Sequence, residues 1–343
     1  MASVDLSALD TSLLHRKAAA QKLMVKKLTA GWSKLNTFRK LRVLDRIVLG
    51  SLVTKSIAQP GAKGAFNPKD DVLKVEARIA QVRPAKIDFL VTEQKRLELE
   101  ATYFAEVEKT DGRDPSKFWL ADHIWEHLIE NAGIDTLKAV WIGDLNPAGT
   151  NAVDICDGIV TLKDADILSG ATPEALILAH SENDFTIEED NILSEVRKLV
   201  KLFREKLPAY GYGPATLYWS PENQSRYEFA LETYFKNSNH LIYNQFGQAL
   251  LYFAKNIKLE PVLDLAGTDF MMIEPDDNMV YLTDRKSDKT ELDSEYSKRD
   301  RSIALVSDWW FAPNYVRSDI GVINDLRERP DAAPEEEEED ENP

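Results

Sequence analysis

The chain has 343 residues, 43% hydrophobic and 29% charged. That is enough for about two domains with a substantial core, and it excludes a short peptide, a disulfide scaffold and a disordered chain. The formal charge of −16 is uneven: residues 1–60 carry eleven Lys/Arg against three Asp, whereas residues 331–343 carry eight acids and no base.

The first sixty residues read as two amphipathic helices, the second with Phe38, Leu41, Leu44, Val48 and Leu52 on one stripe and Arg39, Lys40, Arg42 and Arg46 off it. A Gly/Pro-rich link from Gln59 to Pro68 then sets this arm apart as a separable appendage. From Val72 to Val91 the pattern is extended: Val75, Ala77 and Ile79 alternate, Pro84 interrupts, and Ile87, Phe89 and Val91 alternate again. This predicts a two-stranded, protruding ribbon. A helix follows from about Thr92, with Leu97, Ala101 and Phe104 on one side and Asp111-Gly112 at its end. Asp114-Pro115 supplies the N-cap and first position of the next. Thr186 and Glu189 form a capping box ahead of Ile192, Val196, Leu199 and Phe203, and Pro208 stops that helix. Ser220-Pro221 opens another, carrying Tyr227, Leu231 and Tyr234. Strand patterns then cover Ala215 to Trp219, Ala249 to Phe253, Ile257 to Leu265 and Met279 to Thr283, followed by Ile303 to Ile323 with a break near Pro313. The expected class is α+β, with no internal repeat and a disordered acidic end.

No apolar run reaches the roughly 18 residues needed to cross a bilayer, so a membrane span is excluded and a soluble protein expected. The amino terminus, with Asp5 and Asp10, does not read as a secretory signal. Cys156 is alone and lies between Asp154 and Asp157, whose charge disfavours a thiolate. Phosphate-binding glycine loops, a dinucleotide fingerprint, a G-x-S-x-G elbow and paired CxxC are absent.

One formal catalytic match remains: His123-Ile124-Trp125-Glu126-His127 spells H-x-x-E-H, in which two histidines could hold Zn²⁺ and the glutamate activate water. On a helix, however, Phe118, Ala121, Trp125, Leu128 and Ile129 form the apolar stripe, leaving His123 and His127 opposite, flanked by Glu126 and Glu130. A solvated helix face is the simpler reading. His180-Ser181 with Asp184 contains the residue types of a hydrolase triad, but nothing fixes their geometry. Trp309-Trp310-Phe311, Tyr210 and Tyr212 read as core or interface anchors rather than base-stacking platforms. The stretch Glu274 to Asp277 reads as a solvated turn. The expected catalytic, cofactor-binding and metal sites are therefore none. The basic arm is the segment for which a solvated face is not the simplest account, and it could bind nucleic acid, an anionic membrane or the acidic face of a second copy.

Several local phrases, in order, resemble the major capsid protein of tailed bacteriophages. Val82-Arg83-Pro84-Ala85-Lys86-Ile87-Asp88-Phe89, leading into the helix with Tyr103-Phe104, resembles the end of that family's extended loop and the helix after it. Asp157-Gly158-Ile159-Val160 resembles the glycine turn before the axial domain. Leu207-Pro208, Ala215 to Pro221, Asn223 and Tyr227 resemble that domain's helix, strand and helix. Pro275 to Asn278 before Met279 to Leu282, and then Arg301 to Asp325, resemble the strand returning to the peripheral domain. The resemblance spans about residues 70–326, and the short, basic, helical leader departs from relatives that carry a long scaffolding segment there.

It implies a basic helical N-terminal arm and linker at 1–68, an extended β-ribbon loop at 69–91, a peripheral domain at 92–165, an axial domain at 166–300, a returning peripheral strand at 301–326 and a disordered acidic tail at 327–343. The implied function is structural: self-assembly into pentamers and hexamers of an icosahedral head. The head would enclose double-stranded DNA without sequence specificity, with portal and a separate scaffolding protein as partners, no membrane and no cofactor. The implied location is the virion, assembled in the host cytoplasm. The rival readings are a zinc hydrolase using His123, Glu126 and His127, and a nucleic-acid-binding protein using the basic arm.

Overall fold

The computed structural model describes residues 6–30, 35–54, 73–109, 120–178, 186–235, 241–284 and 291–324. The chain divides into two compact units, Met1–Ala171 with Asp276–Asp319, and Thr172–Pro275 with Ile320–Pro343. Expected features at the Gln59–Pro68 link, Asp111-Gly112, Asp114-Pro115, the 179–185 segment and the 327–343 tail lie outside the described residues.

In the first unit, α1 spans Leu6–Ala30. It is not an appendage: Leu6, Leu9, Leu13 and Met24 are at most 2% exposed. The indole Nε1–H of Trp125 donates to the Leu13 carbonyl at 3.4 Å, and the Ser307 hydroxyl donates to the Met24 sulfur at 3.3 Å. Three cations flanking this buried stripe face acids of the same unit, Lys17 to Asp293 at 2.8 Å, Arg16 to Asp122 at 3.5 Å and Lys27 to Glu130 at 4.0 Å.

The expected second helix is instead two strands, β1 (Arg39–Val43) and β2 (Arg46–Thr54). Spacings of three do bring Phe38, Leu41 and Leu44 to one helical stripe, but period two brings Leu41 with Val43 and Ile47 with Leu49, and β-branched residues favour that choice. Those four residues pack in one apolar cluster with Ala80, Val82, Val280, Leu282 and Ala312.

The ribbon is therefore built differently from the expected one. β2 pairs antiparallel with β3 (Leu73–Gln81), from Arg46↔Gln81 to Thr54↔Leu73. The run after Pro84 belongs to β4 (Arg83–Thr92), which joins the main sheet. That sheet runs β1-β11-β13-β12, with β4 also on β13, where β11 is Met279–Asp284, β12 Glu291–Ser297 and β13 Ser302–Tyr315.

Pro313 does not break β13, contrary to expectation. Its register partner is Tyr281, and the β4 pairing ends at Phe311, two residues before it, so the missing N–H removes no bond to β4. The helices of this unit are α2 (Glu93–Lys109), α3 (Leu120–Ile142) and α4 (Ile159–Leu168). Gly158 precedes α4 where the chain folds back on α3: its N–H donates to the Gly143 carbonyl at 2.8 Å, and an added Cβ would lie 2.5 Å from Gly143 N and 2.6 Å from the Trp141 carbonyl. Only glycine fits so close an approach.

The second unit is a seven-stranded sheet, β5-β14-β10-β6-β9-β8-β7. In chain order its strands are β5 (Ile177–Leu178), β6 (Ala215–Trp219), β7 (Ile242–Tyr243), β8 (Ala249–Leu251), β9 (Ala254–Pro261), β10 (Met271–Pro275) and β14 (Val322–Asn324). The returning segment is thus shared: β13 belongs to the first unit and β14 to the second, while residues 276–300, expected in the axial part, cluster with the first.

α5 (Ile192–Lys206) buries Ile192, Val196, Leu199 and Phe203 completely, in one core with Leu217, Trp219, Tyr227, Ile257 and Ile273. Its start is later than the capping box predicts. The Asn191 carbonyl oxygen Oδ1 accepts from the Glu188 N–H, and its Nδ2 donates to the Thr186 carbonyl, both at 2.9 Å, so a turn occupies 186–191. α6 (Pro221–Phe235) opens as expected, with the Ser220 hydroxyl accepting from the Asn223 N–H at 3.2 Å. Tyr227 and Leu231 are buried, but Tyr234 is 60% exposed and leaves the expected stripe.

Candidate assembly surfaces

The ribbon has two unlike faces, because alternation sends successive side chains to opposite sides. Toward its root, Leu49 (3% exposed) and Ala80 (1%) are buried with Val280, Leu282 and Ala312 of the main sheet. The opposite face carries Val48 and Ile79, direct cross-strand partners that are 60% and 66% exposed. An apolar cross-strand pair left in water on a two-stranded ribbon is a surface without its cover. The ladder runs one rung past Arg46↔Gln81, with the Val82 N–H donating to the Asp45 carbonyl at 2.9 Å.

The expected basic residues lie on β1 and at the start of β2. Arg39, Lys40, Arg42 and Arg46 are all exposed, on strands rather than on a helix. The partial desolvation of Lys40 lowers its ammonium below the ordinary lysine value. α1 supplies a second electrostatic feature. Burial raises the Asp10 carboxyl above the ordinary value, Ser294 offsets this in part, and the nearby Asp293 charge adds to it. Asp293 itself is lowered, chiefly by the hydrogen bond it accepts from Lys17.

The second unit offers another surface. A groove of about 350 Å³ on α6 is lined by Phe229, Leu231, Leu241 and Tyr243 together with Glu228 and Glu232. Phe229 and Tyr243 are more than half exposed.

The histidine motif lies where its helical projection puts it. Ala121, Ile124, Trp125 and Ile129 are buried, His123 is half-buried, and Glu126 and His127 are exposed. The two imidazoles pack edge to face, centroids 4.3 Å apart, and no cluster of three or more metal-ligating side chains occurs among the described residues. His180, Ser181 and Asp184 lie outside the described residues.

Cys156 is 2% exposed, and burial, reinforced by Asp157, pushes its thiol well above the ordinary value. Trp309 and Phe311 are buried in the sheet. Tyr210 packs against the core of the second unit, and Tyr212 is 72% exposed, with the Arg204 guanidinium 5.2 Å from its ring centre.

The stretch from Glu274 is only half a turn: Glu274 is buried on β10, and the turn is confined to Asp276–Asn278. Asn278 there does structural work that residue patterns alone did not single out. Its Nδ2 donates to the Arg317 carbonyl and its Oδ1 accepts from the Arg317 N–H, both at 2.9 Å.

No protein-family model matches the chain, and comparison with curated proteins finds no match. The fold is nevertheless shared with solved phage structures. The satellite phage P4 procapsid including size determination (Sid) protein superposes with a TM-score of 0.56 at 13% identity, over 89% of this chain and 98% of that one. The Cyanophage A-1(L) capsid gives 0.56 at 9% identity over 90% and 92%. Microbacterium phage Oxtober96 gives 0.51 at 10% identity over 85% and 90%. The chain has the α+β fold of phage capsid proteins, as its local phrases imply.

Proposed function

We propose that this chain is a major capsid protein, a structural subunit that self-assembles into an icosahedral phage head. The observation that carries the reading is the likeness of fold over nearly the whole length of both chains, at a TM-score of 0.56, to a procapsid subunit. The ribbon supports it: Val48 and Ile79 face water in the isolated chain, and a second copy laid across them would bury that pair.

In this reading the first unit is the peripheral domain and the second the axial domain, and copies associate as pentamers and hexamers. Each α6 groove then faces a neighbour in the ring. Portal and a separate scaffolding protein complete the particle, double-stranded DNA is packaged without sequence preference, and assembly takes place in the host cytoplasm. The zinc-hydrolase reading gains nothing from His123 and His127, which sit on the polar side of α3 with an exposed Glu126 between them.

Electron microscopy of the concentrated protein, alone and co-expressed with phage assembly factors, tests the proposal. Closed shells, or rings of five or six, are expected. A stable monomer at high concentration in the ultracentrifuge, with no particles on co-expression, would remove the shell reading.

A further inference from the structure

The ribbon is joined to the first unit by two kinds of contact at its root, and they differ in what they can specify. The apolar pad of Leu49 and Ala80 against Val280, Leu282 and Ala312 holds the ribbon close, but such contacts are non-directional and tolerate a change of angle. The second contact is directional. Arg78 of β3 reaches α4, where its Nη1 donates to Asp166 Oδ2 at 2.5 Å. The Tyr315 hydroxyl, at the end of β13, donates to the same carboxylate oxygen and lies 3.1 Å from the Leu162 carbonyl. The Tyr315 ring carries the Arg78 guanidinium 4.2 Å from its centre and the Lys163 ammonium 4.1 Å from it. Tyr315 is fully buried and Lys163 is 2% exposed, and the Arg78 and Asp166 side chains are 22% and 12% exposed.

We infer that Asp166 and Tyr315 are positioning residues that clamp the ribbon through Arg78 and set its angle on the first unit. A charge-assisted hydrogen bond out of water is short and geometrically demanding, and the ring beneath the guanidinium restricts it further. One carboxylate thereby ties three elements, β3, α4 and β13, at a single point on the ribbon. With the clamp closed the ribbon has one direction. With it open, the ribbon is held by the pad alone and hinges on it. The functional consequence rests on the capsid reading, since the angle of the ribbon would set where a neighbour is met. The clamp itself does not depend on it.

The test is a distance between two spin labels in the full-length subunit, kept dilute. One label is placed at Gly50→Cys, where an added side chain meets nothing within 4 Å, and the other at Asn131→Cys, exposed on α3. Cys156 is buried and escapes labelling. The wild-type clamp should give one narrow distance distribution. Arg78→Met and Asp166→Asn should broaden or shift it by about two-fold in width while circular dichroism stays unchanged, and Arg78→Lys, which keeps the charge but not the planar guanidinium, should give an intermediate width. An unchanged distribution in both loss variants, in folded protein, would overturn the clamp. Unfolding of both would also overturn it, by showing that the cluster maintains the fold rather than the angle. If the wild type never forms particles the shell reading fails, while these distances still decide the clamp.

Discussion

At the scale of single residues, two carboxylates of opposite behaviour lie side by side where α1 meets β12, Asp10 on the helix and Asp293 on the strand. Both have an ordinary value of 3.8. Asp10 is raised, so its charge opposes folding at neutral pH and folding gains as pH falls through its folded value. Asp293 is lowered by Lys17, so its contribution is present at neutral pH and is lost as pH falls below 3.8 through its folded value. Asp10→Asn should therefore stabilise the chain at pH 7, and Asp293→Asn should destabilise it. Because Asp293 is 57% exposed in its side chain, its effect stays below about 1 kcal/mol. Urea midpoints at pH 7 and pH 3 check both signs: each difference should shrink at the lower pH, and an Asp10→Asn midpoint below wild type at pH 7 would contradict the assignment. Cys156 gives a second residue-scale outcome. Buried and raised, it should resist thiol reagents in the native protein and react within seconds of unfolding; rapid native labelling would show that the packing around it opens.

At the scale of elements, α1 is the surprise relative to the basic, detachable arm that composition suggests. Its bases are in the sequence, but the acids they face, Asp122, Glu130 and Asp293, come from α3 and β12, more than ninety residues away. No local pattern reports such a pairing. Leu13→Ala should cost about 2–4 kcal/mol, since Leu13 is fully buried and truncation leaves a cavity; a cost below about 1 kcal/mol, read by denaturant unfolding, would mean that the helix is not docked. The strands at 39–54 escape a reading of the sequence for a different reason. Leu41, Val43, Ile47 and Leu49 satisfy period two, Phe38, Leu41 and Leu44 satisfy the helical period, and the choice is made by the pad of Val280, Leu282 and Ala312, far along the chain. By contrast α6, with its Ser220-Pro221 start, and β6 were legible to within a residue, because their signals are local. The clamp of Arg78, Asp166 and Tyr315 was not legible: its members lie 88 and 149 residues apart, and none belongs to a recognisable motif.

For the whole molecule, the remaining question is what the exposed cations of β1 and β2 meet. Arg39, Arg42 and Arg46 are exposed and make no ion pair among the described residues, in a chain whose net charge is −16. A second copy therefore offers them an acidic surface, whereas a nucleic-acid duplex would be repelled by everything else the chain carries. Reversing Arg39, Lys40, Arg42 and Arg46 to Glu should leave the subunit soluble and folded, because none of the four is buried, yet abolish assembly, since a like-charge contact at each neighbour replaces an attractive one. Circular dichroism reads the first result, and sedimentation and electron microscopy the second. If DNA were the partner, the same variant would assemble normally and lose an affinity whose logarithm falls steeply with the logarithm of salt. Normal particles together with lost DNA binding would reverse the assignment, turning this edge of the first unit toward the packaged genome instead of the next subunit.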